Sequence, residues 1–168
     1  TLNILESMKK KKVNKIVFAA SSSCYGIPKS TPTKETDKFD LRYPYAFSKN
    51  IAEQMIMHWS QVYKINYTSL RLFNVYGTRS RTNSAYGAAL GIFMKQKLSN
   101  KPFTIVGDGK QRRDFIHVRD VAKAFYLAGK SKIKNEIFNV GSGIPISVNY
   151  ILKLIGGSKK IYVPKRPG

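Results

Sequence analysis

The stretch Asn14-Lys15-Ile16-Val17-Phe18-Ala19-Ala20-Ser21-Ser22-Ser23-Cys24-Tyr25-Gly26 runs apolar and then breaks into a cluster of hydroxyls. Residues 14–20 read as a buried strand and the serines as its polar end. Pro28, Pro32 and Pro44, set among Ser, Thr and Lys, make residues 26–44 a loop. From Tyr45 to Tyr63 the apolar residues Ala46, Ile51, Met55, Ile56 and Trp59 recur at helical spacing, so this segment reads as a helix. Tyr67–Leu72 is a second buried strand. Strand, long helix, strand is the order of a parallel pair, because parallel neighbours need a crossover. Ligands of such folds sit beyond the carboxyl ends of the strands. Ser21 follows the first strand and Asn74 the second, which puts both on that edge.

The flanks continue the alternation. Residues 2–12 read as a helix with Leu2, Leu5 and Met8 on one face. A polar loop at 77–84 precedes a helix at about 86–98, and Phe103–Val106 is a short strand closed by the tight turn Gly107-Asp108-Gly109. A strand over Asp114–Val118, a helix over Asp120–Ala128 and a strand over Glu136–Val140 follow, the last stopped by Gly141-Ser142-Gly143. Ser147 caps a helix that runs to about Ile155, and Ile161–Val163 is a final short strand. The pattern predicts an α/β layered fold with a largely parallel sheet.

Composition narrows the function classes. An apolar content of 42% supports a packed core, and no apolar run approaches a membrane span. A single cysteine, Cys24, excludes an intrachain disulfide, and with only His58 and His117 no zinc centre is expected. The net charge of +21 raises nucleic-acid binding, but only Lys9-Lys10-Lys11-Lys12 forms a run. That run falls at a helix end, where cations suit the helix dipole. The expectation is therefore no nucleic-acid partner, no membrane and a cytoplasmic location. The chain opens at Thr1 in mid-helix and closes at Arg166-Pro167-Gly168 in mid-loop, so both ends read as cuts through a longer protein.

Tyr-x-x-x-Lys occurs three times. Tyr25 to Lys29 crosses Gly26 and Pro28, and Tyr126 to Lys130 spans Gly129 at a helix end. Only Tyr45 and Lys49 have a full helix behind them and a strand-end serine before them. Four residues make about one turn, so both side chains leave one face. An ammonium beside a phenol stabilises the phenolate, which equips the pair for proton transfer. Without that context, Tyr45 and Lys49 are an ordinary helix start with the lysine reaching for solvent.

The ordered set decides between these readings. It comprises Ser21-Ser22-Ser23-x-Tyr25-Gly26, Pro44-Tyr45-x-x-Ser48-Lys49 and Arg71-Leu72-Phe73-Asn74-Val75-Tyr76-Gly77. Gly107-Asp108-Gly109-Lys110-Gln111-Arg112-Arg113-Asp114-Phe115-Ile116-His117-Val118 and Phe138-Asn139-Val140-Gly141 complete it. Together these resemble the NAD-dependent epimerase/dehydratase family, the extended short-chain dehydrogenases of nucleotide sugars. The likeness is strongest to its UDP-glucose and UDP-N-acetylglucosamine 4-epimerase branches.

The resemblance implies the C-terminal part of a Rossmann-type doubly wound sheet plus a small substrate-binding α/β subdomain. Residues 1–76 would hold the catalytic half, and 77–168 mainly the subdomain, interleaved with Rossmann elements. Tyr45 would be the base that takes the proton of the sugar 4-hydroxyl. Lys49 would support it and hold the nicotinamide ribose, and Ser21 would bridge the hydroxyl to Tyr45. Phe73 would contact the nicotinamide end of NAD. Asn74, Arg113 and Arg166 would hold the nucleotide diphosphate. A homodimer and a UDP-sugar substrate are implied as partners. His117 is expected as a packed or capping residue, and Cys24 as a small buried one.

Relatives that eliminate water carry an Asp-Glu pair where this chain has Ser22 and Ser23, so simple 4-epimerisation fits best. Tyr86-Gly87-Ala88-Ala89 stand where galactose-type epimerases have Asn, which leaves the sugar open. The family's glycine-rich pyrophosphate fingerprint does not occur in the 168 residues. The isolated chain is thus expected to bind NAD weakly and to be inactive. Another nucleotide-sugar dehydrogenase and a noncatalytic basic module are the alternatives.

Overall fold

The computed structural model describes residues 1–28, 31–80, 89–156 and 159–164. Along the chain run α1 (Leu2–Lys11), β1 (Lys15–Ser21), a 3-10 turn (Ser22–Tyr25), α2 (Pro44–Tyr63), β2 (Asn66–Leu72) and β3 (Asn74–Tyr76). Then come α3 (Ala89–Leu98), β4 (Phe103–Val106), β5 (Arg112–His117), α4 (Val118–Lys130) and β6 (Glu136–Val140). The chain ends with β7 (Pro145–Ser147), α5 (Val148–Ile155) and β8 (Lys160–Val163). Two compact units result, one of residues 1–73 and 121–140, the other of 74–120 and 141–168.

The first unit is built on an all-parallel sheet of order β1-β2-β6. Its last register row is Ser21–Leu72–Val140, so the hydroxyl cluster lies on the carboxyl edge. Leu5 and Met8 of α1, Ile56 of α2 and Ile65 and Tyr67 around β2 form its buried core. Pro44 occupies the first turn of α2, where its fixed φ is favourable and its missing N–H is no loss. The lysine run closes α1: Lys9, Lys10 and Lys11 sit in its last turn, and Lys12 takes the left-handed cap with φ 55°. Lys15 closes another helix, donating to the carbonyls of Ala128, Gly129 and Ser131 at the end of α4.

The second unit pairs β3-β5-β7 and, separately, β4 with β8. Phe93, Phe103, Ile105, Val148, Ile151 and Leu152 are its core. Ser147 caps α5 by accepting from the Tyr150 N–H at 3.1 Å. Two three-residue strands, β3 and β7, lie in segments to which the sequence pattern assigned no element. Val75 and Tyr76 pair in parallel with Ile116 and His117, and β7 runs antiparallel to Arg112–Asp114. That second pairing starts β5 two residues before the expected Asp114. The expected helix start at 86–88 lies outside the described residues.

Candidate active site

Ser21 ends β1 and is buried. Its Oγ accepts from the Ser23 N–H at 3.2 Å and lies 2.8 Å from the Ser23 Oγ, which makes Ser21 the N-cap of the 3-10 turn. The turn ends at Gly26, whose φ of 64° favours glycine and where a Cβ would lie 2.5 Å from the Asp40 carbonyl oxygen. Asp40 N–H in turn donates to the Cys24 carbonyl. The loop after the turn is thereby closed back on it.

Tyr45 lies in the first turn of α2 and is 45% exposed. Lys49 follows one turn later and does not run to solvent. Its Nζ donates to the Ala19 carbonyl at 2.7 Å and stands 5.9 Å from the Tyr45 ring centroid. It lies 5.4 Å from the Phe18 ring centroid. The ammonium thus ties the tyrosine-bearing turn of α2 to β1, two residues before Ser21. Phe73 follows β2, half-buried, with its N–H on the Val140 carbonyl.

Beneath these residues lies a polar network absent from the sequence reading. Arg71 of β2 and Glu53 of α2 are buried and paired, with Nη2 2.8 Å from Oε2. The Arg71 Nη1 donates to the Tyr25 hydroxyl at 2.7 Å and to the Glu35 carbonyl at 2.8 Å. Tyr25 donates onward to Asn139 Oδ1 at 2.8 Å, and the Asn139 N–H donates to Glu35 Oε1 at 2.8 Å. Ser69 Oγ donates to Glu53 Oε1. Burial works against the Arg71 charge, but its hydrogen bonds to Glu53 and Tyr25 outweigh it and hold the guanidinium above its ordinary value. Burial, the larger cause, and the Glu53 charge both push the Cys24 thiol up, and burial raises the Tyr25 phenol. The available signal was Arg71 itself. A charge inside the apolar strand Leu70-Arg71-Leu72 must find a buried partner, and Glu53 lies one turn beyond Lys49.

In the second unit, Asn74 is the first residue of β3, and its Nδ2 donates to the Asp114 carbonyl at 3.0 Å. Arg113 lies exposed on β5, with Nη1 on the Arg112 carbonyl. The neighbouring Asp114 carboxylate accepts from Ser142 N–H, Ser142 Oγ and Gly143 N–H, fixing the 141–143 turn. His117 caps the start of α4 by accepting the Arg119 N–H at Nδ1, and it packs edge-on against Tyr76. Arg166 lies outside the described residues. Among the described residues, no His, Cys, Asp and Glu cluster could hold a metal, and no helix is long and apolar enough to cross a membrane.

A parallel sheet with a serine at its carboxyl edge, flanked by a helix whose lysine anchors to that edge, defines an α/β protein of the Rossmann class. The chain belongs to the NAD dependent epimerase/dehydratase family, whose profile matches residues 1–141. It is 42% identical to a Methanocaldococcus jannaschii protein described as a candidate UDP-glucose 4-epimerase, over 92% of this chain and 50% of that one. A UDP-N-acetyl-alpha-D-glucosaminuronate decarboxylase of Bacillus cytotoxicus is 31% identical over 98% of this chain and 53% of its own. The structure of a Thermotoga maritima UDP-glucose 4-epimerase with UDP-glucose superposes with a TM-score of 0.92 at 32% identity, over 99% of this chain and 56% of that one. The chain spans about half the length of the curated relatives it matches.

The residues present fit one end of the family's cofactor. Lys49 has three N–H donors and directs one to the Ala19 carbonyl, two residues short of the carboxyl end of β1, a placement that suits ribose hydroxyls at that edge. The pyrophosphate end calls for a glycine-rich turn before a helix, and the sequence has no Gly-x-Gly-x-x-Gly to build it.

Proposed function

We propose that this chain supplies the catalytic wall of a nucleotide-sugar 4-epimerase acting on a UDP-sugar. The observation that carries the reading is the Lys49–Ala19 hydrogen bond, which holds the Tyr45 turn of α2 against the strand that ends in Ser21. Tyr45 takes the proton of the sugar 4-hydroxyl and later gives it back. Lys49 keeps a positive charge beside the phenolate and holds the ribose. The Ser21 hydroxyl hydrogen-bonds the same sugar oxygen. NAD, its nicotinamide ribose held by Lys49 and its ring against Phe73, would supply the hydride chemistry at the sugar C4. Asn74, Arg113 and Arg166 hold the diphosphate, a task that suits the forked guanidinium. Ser22 and Ser23 bring no carboxylate to the turn, which favours epimerisation over elimination of water. Phe47, Ile51 and Val62 are exposed along α2 and supply an apolar face for a homodimer.

The test is a chimera with the N-terminal half of the Methanocaldococcus relative placed before residues 1–168. Loaded with NAD, it should interconvert UDP-glucose and UDP-galactose, and Tyr45→Phe should lower turnover by roughly 100- to 10,000-fold with an unchanged circular dichroism spectrum. Wild-type turnover in Tyr45→Phe would refute the assignment.

A further inference from the structure

The buried Arg71 network does more than fill the core of the first unit. Arg71 sits in the middle of the sheet, in register with Ala20 on one side and Asn139 on the other, one residue below the Ser21–Leu72–Val140 row. Its planar fork distributes donors to three separate segments. Nε and Nη2 hold Glu53 of α2, and Nη1 holds the Tyr25 hydroxyl at the end of the 3-10 turn and the Glu35 carbonyl of the following loop. Asn139 fastens the same loop a second time, its N–H on Glu35 Oε1 and its Nδ2 on the Thr33 carbonyl.

Two of these segments carry the residues assigned to proton transfer. Tyr45, Lys49 and Glu53 are spaced by four on α2, so they lie on successive turns of one side of the helix. A slide or roll of α2 that displaced Tyr45 would pull Glu53 off Arg71. Tyr25 ends the turn that Ser21 begins, so a shift of that turn would draw the Tyr25 hydroxyl away from Arg71. Both catalytic segments are therefore referred to one guanidinium. An apolar core would stabilise the unit as well or better, since a buried ion pair seldom outperforms well-packed hydrophobic residues. Directional bonds fix the relative placement of segments, which apolar packing leaves freer.

We infer that Glu53, Arg71 and Tyr25 are positioning residues: they set the Tyr45–Lys49 turn of α2 against the Ser21 turn, so that phenol and hydroxyl can meet one substrate oxygen. The inference rests on the Ser21, Tyr45 and Lys49 assignment above.

Two measurements separate its failure from failure of that assignment. The first needs no activity and uses the 168-residue chain. Tyr25→Phe keeps the ring that packs on Phe39 and Arg71 but removes the hydroxyl. Amide hydrogen exchange at Ser23, Gly26 and Asp40 should accelerate at least about tenfold. The amides of Thr68 and Ser69 in β2 should stay within about twofold of wild type. Exchange that is unchanged, or faster everywhere alike, overturns the inference.

The second measurement uses the chimera. Tyr25→Phe should lower kcat about tenfold or more while the KM for UDP-glucose moves less than about twofold. The double variant Glu53→Leu, Arg71→Leu replaces the pair by apolar groups; it should stay folded without recovering kcat. Wild-type kcat in a folded double variant, or in Tyr25→Phe, makes the network purely structural and overturns the inference. A wild-type chimera inert toward UDP-sugars fails the epimerase reading, and the exchange measurement then decides on the network alone.

Discussion

At the residue scale, Cys24 shows how the buried network reaches a group that takes no part in the proposed chemistry. The thiol is 1% exposed, unpaired with any other cysteine, and lies near Glu53 as well as Arg71 and Lys49. Burial comes first and the Glu53 charge second in pushing its pKa up. A raised value means that the folded state holds the proton more tightly than the unfolded chain does. The resulting stability is complete below the unfolded thiol value of about 8.5 and is lost as pH climbs through the folded value. Urea midpoints should therefore fall as pH rises above the unfolded thiol value of about 8.5, and Cys24→Ala should fall less over the same range. An identical decline in both proteins would remove Cys24 as its source. The same residues show what the sequence could and could not reveal. The placement of Ser21 at a strand end and of Tyr45 and Lys49 one turn apart on a helix was legible, because strand ends and helical spacing can be read along the chain; their proposed roles came from the ordered motifs that resemble the family. The pairing of Arg71 with Glu53 was not legible, because it joins residues on different elements that only the fold brings together.

At the element scale, long segments declared themselves and short ones did not. The twenty residues of α2 and the seven each of β1 and β2 carry enough periodicity to be found. The three-residue β3 and β7 carry none, and both exist because β5 gives their backbones a partner. Helix ends lie between these cases. The Ser147 cap and the lysine run of α1 are local chemistry and were readable, whereas the end of α4 depends on Lys15, which is distant in sequence. Lys15 Nζ reaches Ala128 O at 2.7 Å and Ser131 O at 2.6 Å, placing a cation on the carbonyls that the helix leaves unpaired. Lys15→Met keeps the stem and removes that contact. It should cost about 1–2 kcal/mol, a fall in Tm of roughly 2–8 °C, while Lys15→Arg should retain most of the stability. A melting curve of Lys15→Met that overlays wild type would show that the contact adds nothing.

At the scale of the whole molecule, the chain forms two units that interleave in sequence. The first sheet takes its third strand from residues 136–140, after the chain has built much of the second unit. Strand order of this kind is invisible to periodicity, which reports that a segment is a strand and not which neighbour it finds. Ser21, Tyr45, Lys49 and Phe73 all belong to the first unit, and the proposal above assigns them to the nicotinamide end of a dinucleotide. The pyrophosphate of a bound dinucleotide draws most of its hold from a glycine-rich turn and the helix N-terminus behind it. The sequence contains no Gly-x-Gly-x-x-Gly from which such a turn is built. One ammonium and one hydroxyl meeting a ribose give only a few hydrogen bonds, each worth about 0.5–1.5 kcal/mol net. Ordering the ligand opposes most of that sum. Isothermal titration of the 168-residue chain with NAD⁺ should therefore give a Kd no tighter than about 1 mM, which corresponds to about −4 kcal/mol. Joining the N-terminal half of the archaeal relative should bring it into the micromolar range. Micromolar affinity in the chain alone would mean that its own residues cradle the pyrophosphate, and the assignment of Lys49 and Phe73 to the nicotinamide end would have to be redrawn.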